Sequence, residues 1–188
     1  MLAALSAQTT RALLERSTVV SLTEGQALLE VGDEVRVAGL VLEGTLREVY
    51  LDEQGNERTR GFSFRGDFVG AWADVLARRP SRTRVEALST ARVRCYDVRT
   101  LFEVEARAPD LQRALRLVAE RLYVRKSDRE FELLTMSAAQ RYDALLAQVP
   151  EVEALVQLRH IASYLGITPV YLSRLRRQRR AGARPRRG

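Results

Sequence analysis

Between Val19 and Val98 the apolar residues come in short runs, several of them alternating, and glycine-bearing turns close most of the runs. From Pro109 to about Thr135 they recur instead at intervals of three and four. A two-residue period fits a strand and a 3.6-residue period fits a helix, so the chain must build a β-rich unit first and helices after it. The strand candidates are Ala27–Val31 before the Gly32-Asp33 turn, Ala38–Leu42 before Glu43-Gly44, and the alternating Thr45–Tyr50. Asp52–Glu57 reads as a polar hairpin loop, from which Arg58–Phe64 returns as a strand. Gly66-Asp67-Phe68-Val69-Gly70 is a turn-rich unit, and Trp72–Leu76 a short helical piece. Arg84–Leu88 and Ala91–Asp97 complete the series. Many short strands at a spacing of about ten residues predict a β-barrel or jelly roll. Residues 3–16 read as a short helix ahead of it.

The helical part divides in three. Pro109 opens a long helix whose Leu111, Leu115, Val118 and Leu122 fall 4, 3 and 4 apart, a narrow coiled-coil-type seam. The same seam continued lands on Arg125 and Arg129, so only its first half is apolar. The spacing predicts pairing with a twin helix in a homodimer; the alternative is that these leucines pack back on the β-domain. Ser137 and Gln140 form a capping-box signature for a helix from Ala138 to Gln148, which Pro150 ends. Leu158–Gln178 then reads as two short helices. Ile161 and Leu165 share one face, Gly166 supplies a left-handed helix end, Thr168 a cap oxygen and Pro169 a first turn. Leu172 and Leu175 turn inward, leaving Ser173, Arg174, Arg176 and Arg177 outward or partly so. That is the pattern of a helix-turn-helix, whose second helix enters the DNA major groove.

Charge supports the same partner. The chain of 188 residues carries a formal net charge of +7, yet residues 159–188 hold nine arginines and no Asp or Glu, leaving about −2 for residues 1–158. A basic end on a mildly acidic body suits a polyanion, most simply nucleic acid. A single cysteine, Cys95, excludes an internal disulfide and an intrachain multi-cysteine metal site. With one histidine far from it, neither a zinc site nor a Cys–His nucleophile is expected, and no cofactor, metal or catalytic residue is assigned. No paired-carboxylate motif, P-loop or nucleophile elbow points to an enzyme. No apolar run reaches 18 residues and the N-terminus lacks a basic region before its apolar residues, so neither a membrane span nor a secretory signal is expected. A reducing cytoplasm is the expected location.

The order of glycine-punctuated β-roll, long helix and helix-turn-helix resembles the Crp/Fnr family of bacterial transcription regulators over nearly the whole chain. The residues that carry the resemblance are Gly32-Asp33, Leu42–Leu46, Gly66–Gly70, Pro80-Ser81-Arg82 and Leu158–Gln178. It implies an α+β protein with three parts: a double-stranded β-helix (jelly-roll) sensor domain of the cyclic-nucleotide-binding type over residues 1–107, a dimerisation helix over 108–136, and an all-α helix-turn-helix domain with a basic tail and a reduced wing over 137–188. By the same resemblance Gly70–Thr83 is a phosphate-binding cassette, making Gly70, Ala71, Trp72, Ser81, Arg82 and Thr83 the effector-pocket candidates. Relatives that bind cyclic AMP carry a Glu where this chain has Ala71, and their phosphate-pairing arginine aligns near Ser81 or Arg82. Cyclic AMP is therefore not the expected effector; an unidentified small molecule, or none, is. An iron–sulfur sensor would need several cysteines. Cys95 reads as a small core residue and His160 as an ordinary surface or DNA-proximal one.

The resemblance implies a homodimer on double-stranded DNA at a pseudo-palindromic operator, with RNA polymerase as a further partner. Thr168, Pro169, Val170, Tyr171, Ser173, Arg174, Arg176 and Arg177 are the candidate DNA contacts. Arg174 is the base reader, because its fork can bond a guanine edge twice. Val170 suits a thymine methyl, and Pro169-Val170 stand where relatives carry Arg-Glu. Arg176, Arg179 and Arg180 are phosphate candidates. The alternative is an effector-independent or small-ligand-sensing interaction module whose basic C-terminus binds nucleic acid without sequence preference.

Overall fold

A computed structural model describes residues 5–182. The arginines at 184, 186 and 187, which the sequence places in a basic tail, and the start of the predicted 3–16 helix lie outside the described residues. The first helix, α1, runs Ala7–Glu15 and is capped by the Ser6 side chain. Eight strands follow: β1 (Ser17–Leu22), β2 (Ala27–Leu29), β3 (Val37–Glu43), β4 (Leu46–Leu51), β5 (Glu57–Ser63), β6 (Phe68–Val69), β7 (Arg84–Ala87) and β8 (Ala91–Asp97), with α2 (Trp72–Leu76) between β6 and β7. They form two antiparallel sheets in the orders β1-β8-β3-β6 and β2-β7-β4-β5. The strands pair with non-neighbours in sequence, which makes a double-stranded roll. Leu22, Val41, Leu46, Val69, Val85, Val93 and Cys95 fill the core between the sheets. At the β3–β4 turn Gly44 adopts φ +83°, and a Cβ there would sit 2.7 Å from the Cα of Ala91, so glycine alone fits that crossing.

A helix that the sequence reading did not delineate, α3 (Val98–Glu105), continues directly from β8 under an Asp97 cap. It packs with α1 on the outside of the roll, and α4 (Pro109–Thr135) starts against both. Leu13, Tyr96, Val98, Leu101, Leu111 and Leu115 form this second core. Asp110 fastens it, accepting from the Ser6 amide at 2.7 Å and the Thr9 hydroxyl at 2.9 Å. The remaining helices are α5 (Ala138–Gln148), α6 (Val152–Leu155), α7 (Leu158–Leu165) and α8 (Pro169–Gly182). The Ser137–Gln140 capping box is present in both directions. Among the described residues no strand follows Asp97, so the C-terminal unit is helical throughout. Its core, built on Tyr142, Leu145, Val152, Ile161, Leu165 and Leu172, also takes in Phe62 of β5. The helical unit therefore does not stand apart from the roll.

Candidate nucleic-acid interface and sensor site

The turn between α7 and α8 follows from three residues. Gly166 takes the left-handed conformation at φ 72°, ψ 32°, and the amides of Gly166 and Ile167 close the end of α7 on Ser163 and Ala162. Thr168 accepts from the Tyr171 amide at 3.2 Å, and Pro169 opens α8 where no amide is needed. Leu172 and Leu175 are buried, holding α8 against Ile161 and Leu165. Thr168, Pro169, Val170, Tyr171, Ser173, Arg174 and Arg177 are exposed. Val170, Ser173, Arg174 and Arg177 fall at i, i+3, i+4 and i+7, one face of α8 that is exposed among the described residues.

Arg176 lies elsewhere. Its fork grips Glu153 of α6 at 2.6 and 3.1 Å, and the Tyr142 hydroxyl donates to the same carboxylate. Burial would raise the Glu153 carboxyl, but Arg176 and Tyr142 outweigh it and hold the group below its ordinary range. Burial and Glu153 together push the Tyr142 phenol up to about 12, so it remains a donor. Arg179 is likewise paired, with Asp143 at 2.7 Å.

His160 is not a surface residue: it is 7% exposed and faces the roll. There Arg47 is paired with Glu86 and Glu57, and Arg159 donates to the His160 ring at 3.2 Å. Burial first, then the charges of Arg47 and Arg159, lower His160 to about 4, so the ring is neutral near pH 7. Sequence reasoning missed this because nothing local to His160 shows that α7 docks on β5. The docking runs through Ser163, which accepts from the Thr59 amide at 3.0 Å, and Tyr164, whose ring meets Phe62 at 5.4 Å. The Arg129 guanidinium of α4 lies over that ring at 3.9 Å and donates to the Tyr164 carbonyl.

In the β-roll, five of the six effector-pocket candidates, Ala71, Trp72, Ser81, Arg82 and Thr83, are turned to other uses. Asp74, itself buried, accepts from Arg79 Nε at 2.7 Å and from both the backbone amide and Nε of Arg82 at 3.0 and 3.1 Å. Burial raises its pKa, and these three bonds more than reverse that, so Asp74 stays ionised. The Asp74 carboxylate is thus already paired with Arg82. Ser81 and Thr83 bond to each other, and Ala71 is buried in the core. Trp72 packs edge-on to Phe68 and tilted on Phe102, each at 5.8 Å, and so belongs to the second core. None of the six lines the crevice of about 790 Å³ between the roll and α4, whose walls include Glu48, Arg60, Phe62, Leu122 and Tyr164. Inside it Glu48 pairs with Arg60; burial raises the Glu48 carboxyl against the pull of Arg60 and Arg125.

The helix α4 carries two apolar stripes. Leu111 and Leu115 of the predicted seam are buried against the protein's own roll, with Val118 and Leu122 half-buried beyond them. A different stripe faces solvent: Leu117, Val124 and Phe131, seven apart and 44%, 55% and 58% exposed, with Leu134 one step further. Cys95 is a buried core residue of β8. No helix of the described residues is long and apolar enough to cross a membrane, and among them no cluster of three metal-ligating side chains occurs.

A β-roll, a long helix and a helix-turn-helix with an exposed second helix are the arrangement expected of a DNA-binding regulator. Comparison with known proteins agrees. No protein-family model matches the chain. The fumarate and nitrate reduction regulatory proteins of Salmonella typhi and Escherichia coli K12 are each 29% identical over 177 residues, spanning 87% of this chain and 68% of the relative. FixK2 from Bradyrhizobium japonicum superposes with a TM-score of 0.76 at 19% identity, over 88% of this chain and 85% of that one. The c-di-GMP-responsive regulator CLP of Xanthomonas campestris gives 0.74 at 16% identity, over 94% and 93%. The chain is thus similar in sequence to these regulatory proteins, and it shares its fold with a putative transcriptional regulator of the crp/fnr family from Eubacterium rectale, at a TM-score of 0.74 and 15% identity over 95% of this chain and 85% of that one.

Proposed function

We propose that the chain is a sequence-specific DNA-binding transcription regulator that places α8 of each protomer of a homodimer in successive major grooves of a pseudo-palindromic operator. The observation that carries this is the free face of α8: Val170, Ser173, Arg174 and Arg177 project together from a helix fixed by Leu172 and Leu175. Arg174 and Arg177 have no ion-pair partner among the described residues, so both forks are available to DNA. Arg174 reads a guanine edge, Val170 meets a thymine methyl, and Thr168, Pro169, Tyr171, Ser173 and Arg177 frame the backbone and neighbouring bases.

The dimer forms along Leu117, Val124, Phe131 and Leu134, because the leucines at 111 and 115 are already used by the roll. The protein works in the cytoplasm, and RNA polymerase is the further partner that a regulator bound beside a promoter meets. Its sensor does not take cyclic AMP in the usual way: Asp74 holds Arg82, and Ala71 offers no polar side chain. Selection of duplexes from a random pool tests this reading. It should return two related half-sites about one helical turn apart; a single half-site, or no preferred sequence, overturns it. Cyclic AMP should leave the melting temperature unchanged, and a rise with its concentration would show that Asp74 yields to the ligand.

A further inference from the structure

The free and bound arginines of α8 differ in kind, and the difference points to a residue outside the reading face. Glu153 sits on α6, a single short turn fixed by the fully buried Val152. Its two oxygens take both donors of Arg176, while Tyr142 of α5 donates to one of them. Three helices thus meet at one carboxylate that is about three-quarters buried. An exposed pair of this kind would hold little, since water and side-chain entropy compete with it. A bidentate, partly buried pair with a third donor fixes an angle as well as a distance.

We infer that Glu153 is a positioning residue of the DNA reader: through Arg176 it sets how α8 is held against α5 and α6, and Arg176 is not itself a phosphate contact. The inference rests on the proposed DNA-binding function and departs from the sequence expectation for Arg176. To reach a phosphate, Arg176 would have to leave a carboxylate that has no other cation within bonding distance among the described residues. Glu153 would then stay mostly buried with only a tyrosine donor.

The test is a salt titration of duplex binding by the full chain. The probes are a duplex that the wild-type chain selects from a random pool and an unselected duplex of the same length. Arg176→Met keeps the packing of the side-chain stem. It should leave the salt slope on the unselected duplex unchanged and cut the preference for the selected duplex about tenfold. Glu153→Gln should cut the preference similarly and steepen the slope by about 0.9, because the released guanidinium can then neutralise a phosphate. Concentrations are corrected for the folded fraction from a melt in the same buffer, so unfolding is not read as lost preference. A slope shallower by about 0.9 in Arg176→Met makes Arg176 a phosphate contact and overturns the inference. So does an unchanged preference in both variants. If the wild-type chain selects no sequence at all, the DNA-binding function fails, and the positioning role with it.

Discussion

Arg174 and His160 lie fourteen positions apart in one helix-turn-helix, and their environments give them opposite behaviour. Arg174 is exposed and unpaired among the described residues. Arg174→Ala is expected to cost about 1–3 kcal/mol on the selected operator and to relax preference at one base pair. Equal weakening on every duplex would make it a phosphate contact instead. His160 is buried beside Arg47 and Arg159, with Glu57 as the nearby opposing charge, and titrates at about 4 in the fold against an ordinary 6.5. Between those values the unfolded chain binds a proton that the fold refuses, so stability rises with pH there. The contribution is intact above pH 6.5 and is lost as pH falls towards 4. Carboxylates titrate over part of the same range, so the comparison is with His160→Gln. Unfolding by urea at pH 7 and pH 4.5 should show the wild type losing on the order of 1–3 kcal/mol more than the variant. Equal losses would mean that the ring is protonated in place. Arg174 was legible in the sequence because helix periodicity and the Gly166 turn are local. His160 was not, because its burial is made by residues about a hundred positions away.

At the scale of the element, α4 shows how a helix of the expected bounds can offer two apolar faces. Its bounds, from Pro109 to Thr135, follow from the proline and the apolar period. Which stripe pairs with another protomer does not. Leu111, Leu115, Val118 and Leu122 form the continuous heptad stripe, whereas Leu117, Val124 and Phe131 are interrupted by Glu120 and Ser127 at the intervening positions. Choosing between them requires knowing that α1 and α3 cover the first stripe, and α3 was not delineated from the sequence at all. Its apolar residues follow β8 without a turn, so no punctuation marks its start. Two substitutions separate the stripes. Val124→Asp puts a charge in the exposed seam and should leave a folded monomer in sedimentation at micromolar concentration. Leu111→Ala should cost about 2–5 kcal/mol of stability by opening a cavity, with the dimer retained at temperatures where the chain is folded. If Leu111→Ala instead dissociates the folded dimer while Val124→Asp does not, the sequence-predicted seam is the right one.

For the molecule as a whole, the sequence shows the order of roll, long helix and reader, while the contacts that join them are long-range. β5, α4 and α7 converge on Tyr164, whose ring meets Phe62 and the Arg129 guanidinium. These residues are 35 and 102 positions away from it, so no spacing rule could have paired them. The arrangement gives the reader a fixed attitude to the sensor, through one aromatic ring and the Thr59–Ser163 bond beside it. Tyr164→Ala removes a ring that meets both Phe62 and Arg129, and leaves Arg129 with only Glu132 as a side-chain partner. The roll's core does not include Tyr164, so its strands should keep their protection from hydrogen exchange. The Thr59 amide, whose acceptor is carried by α7, should exchange about tenfold or more faster as the reader undocks. Unchanged exchange at Thr59 would show that the reader is held by its other contacts, such as Gln157 on Glu24 at 3.0 Å. Faster exchange throughout β3 and β8 as well would mean that sensor and reader unfold as one unit.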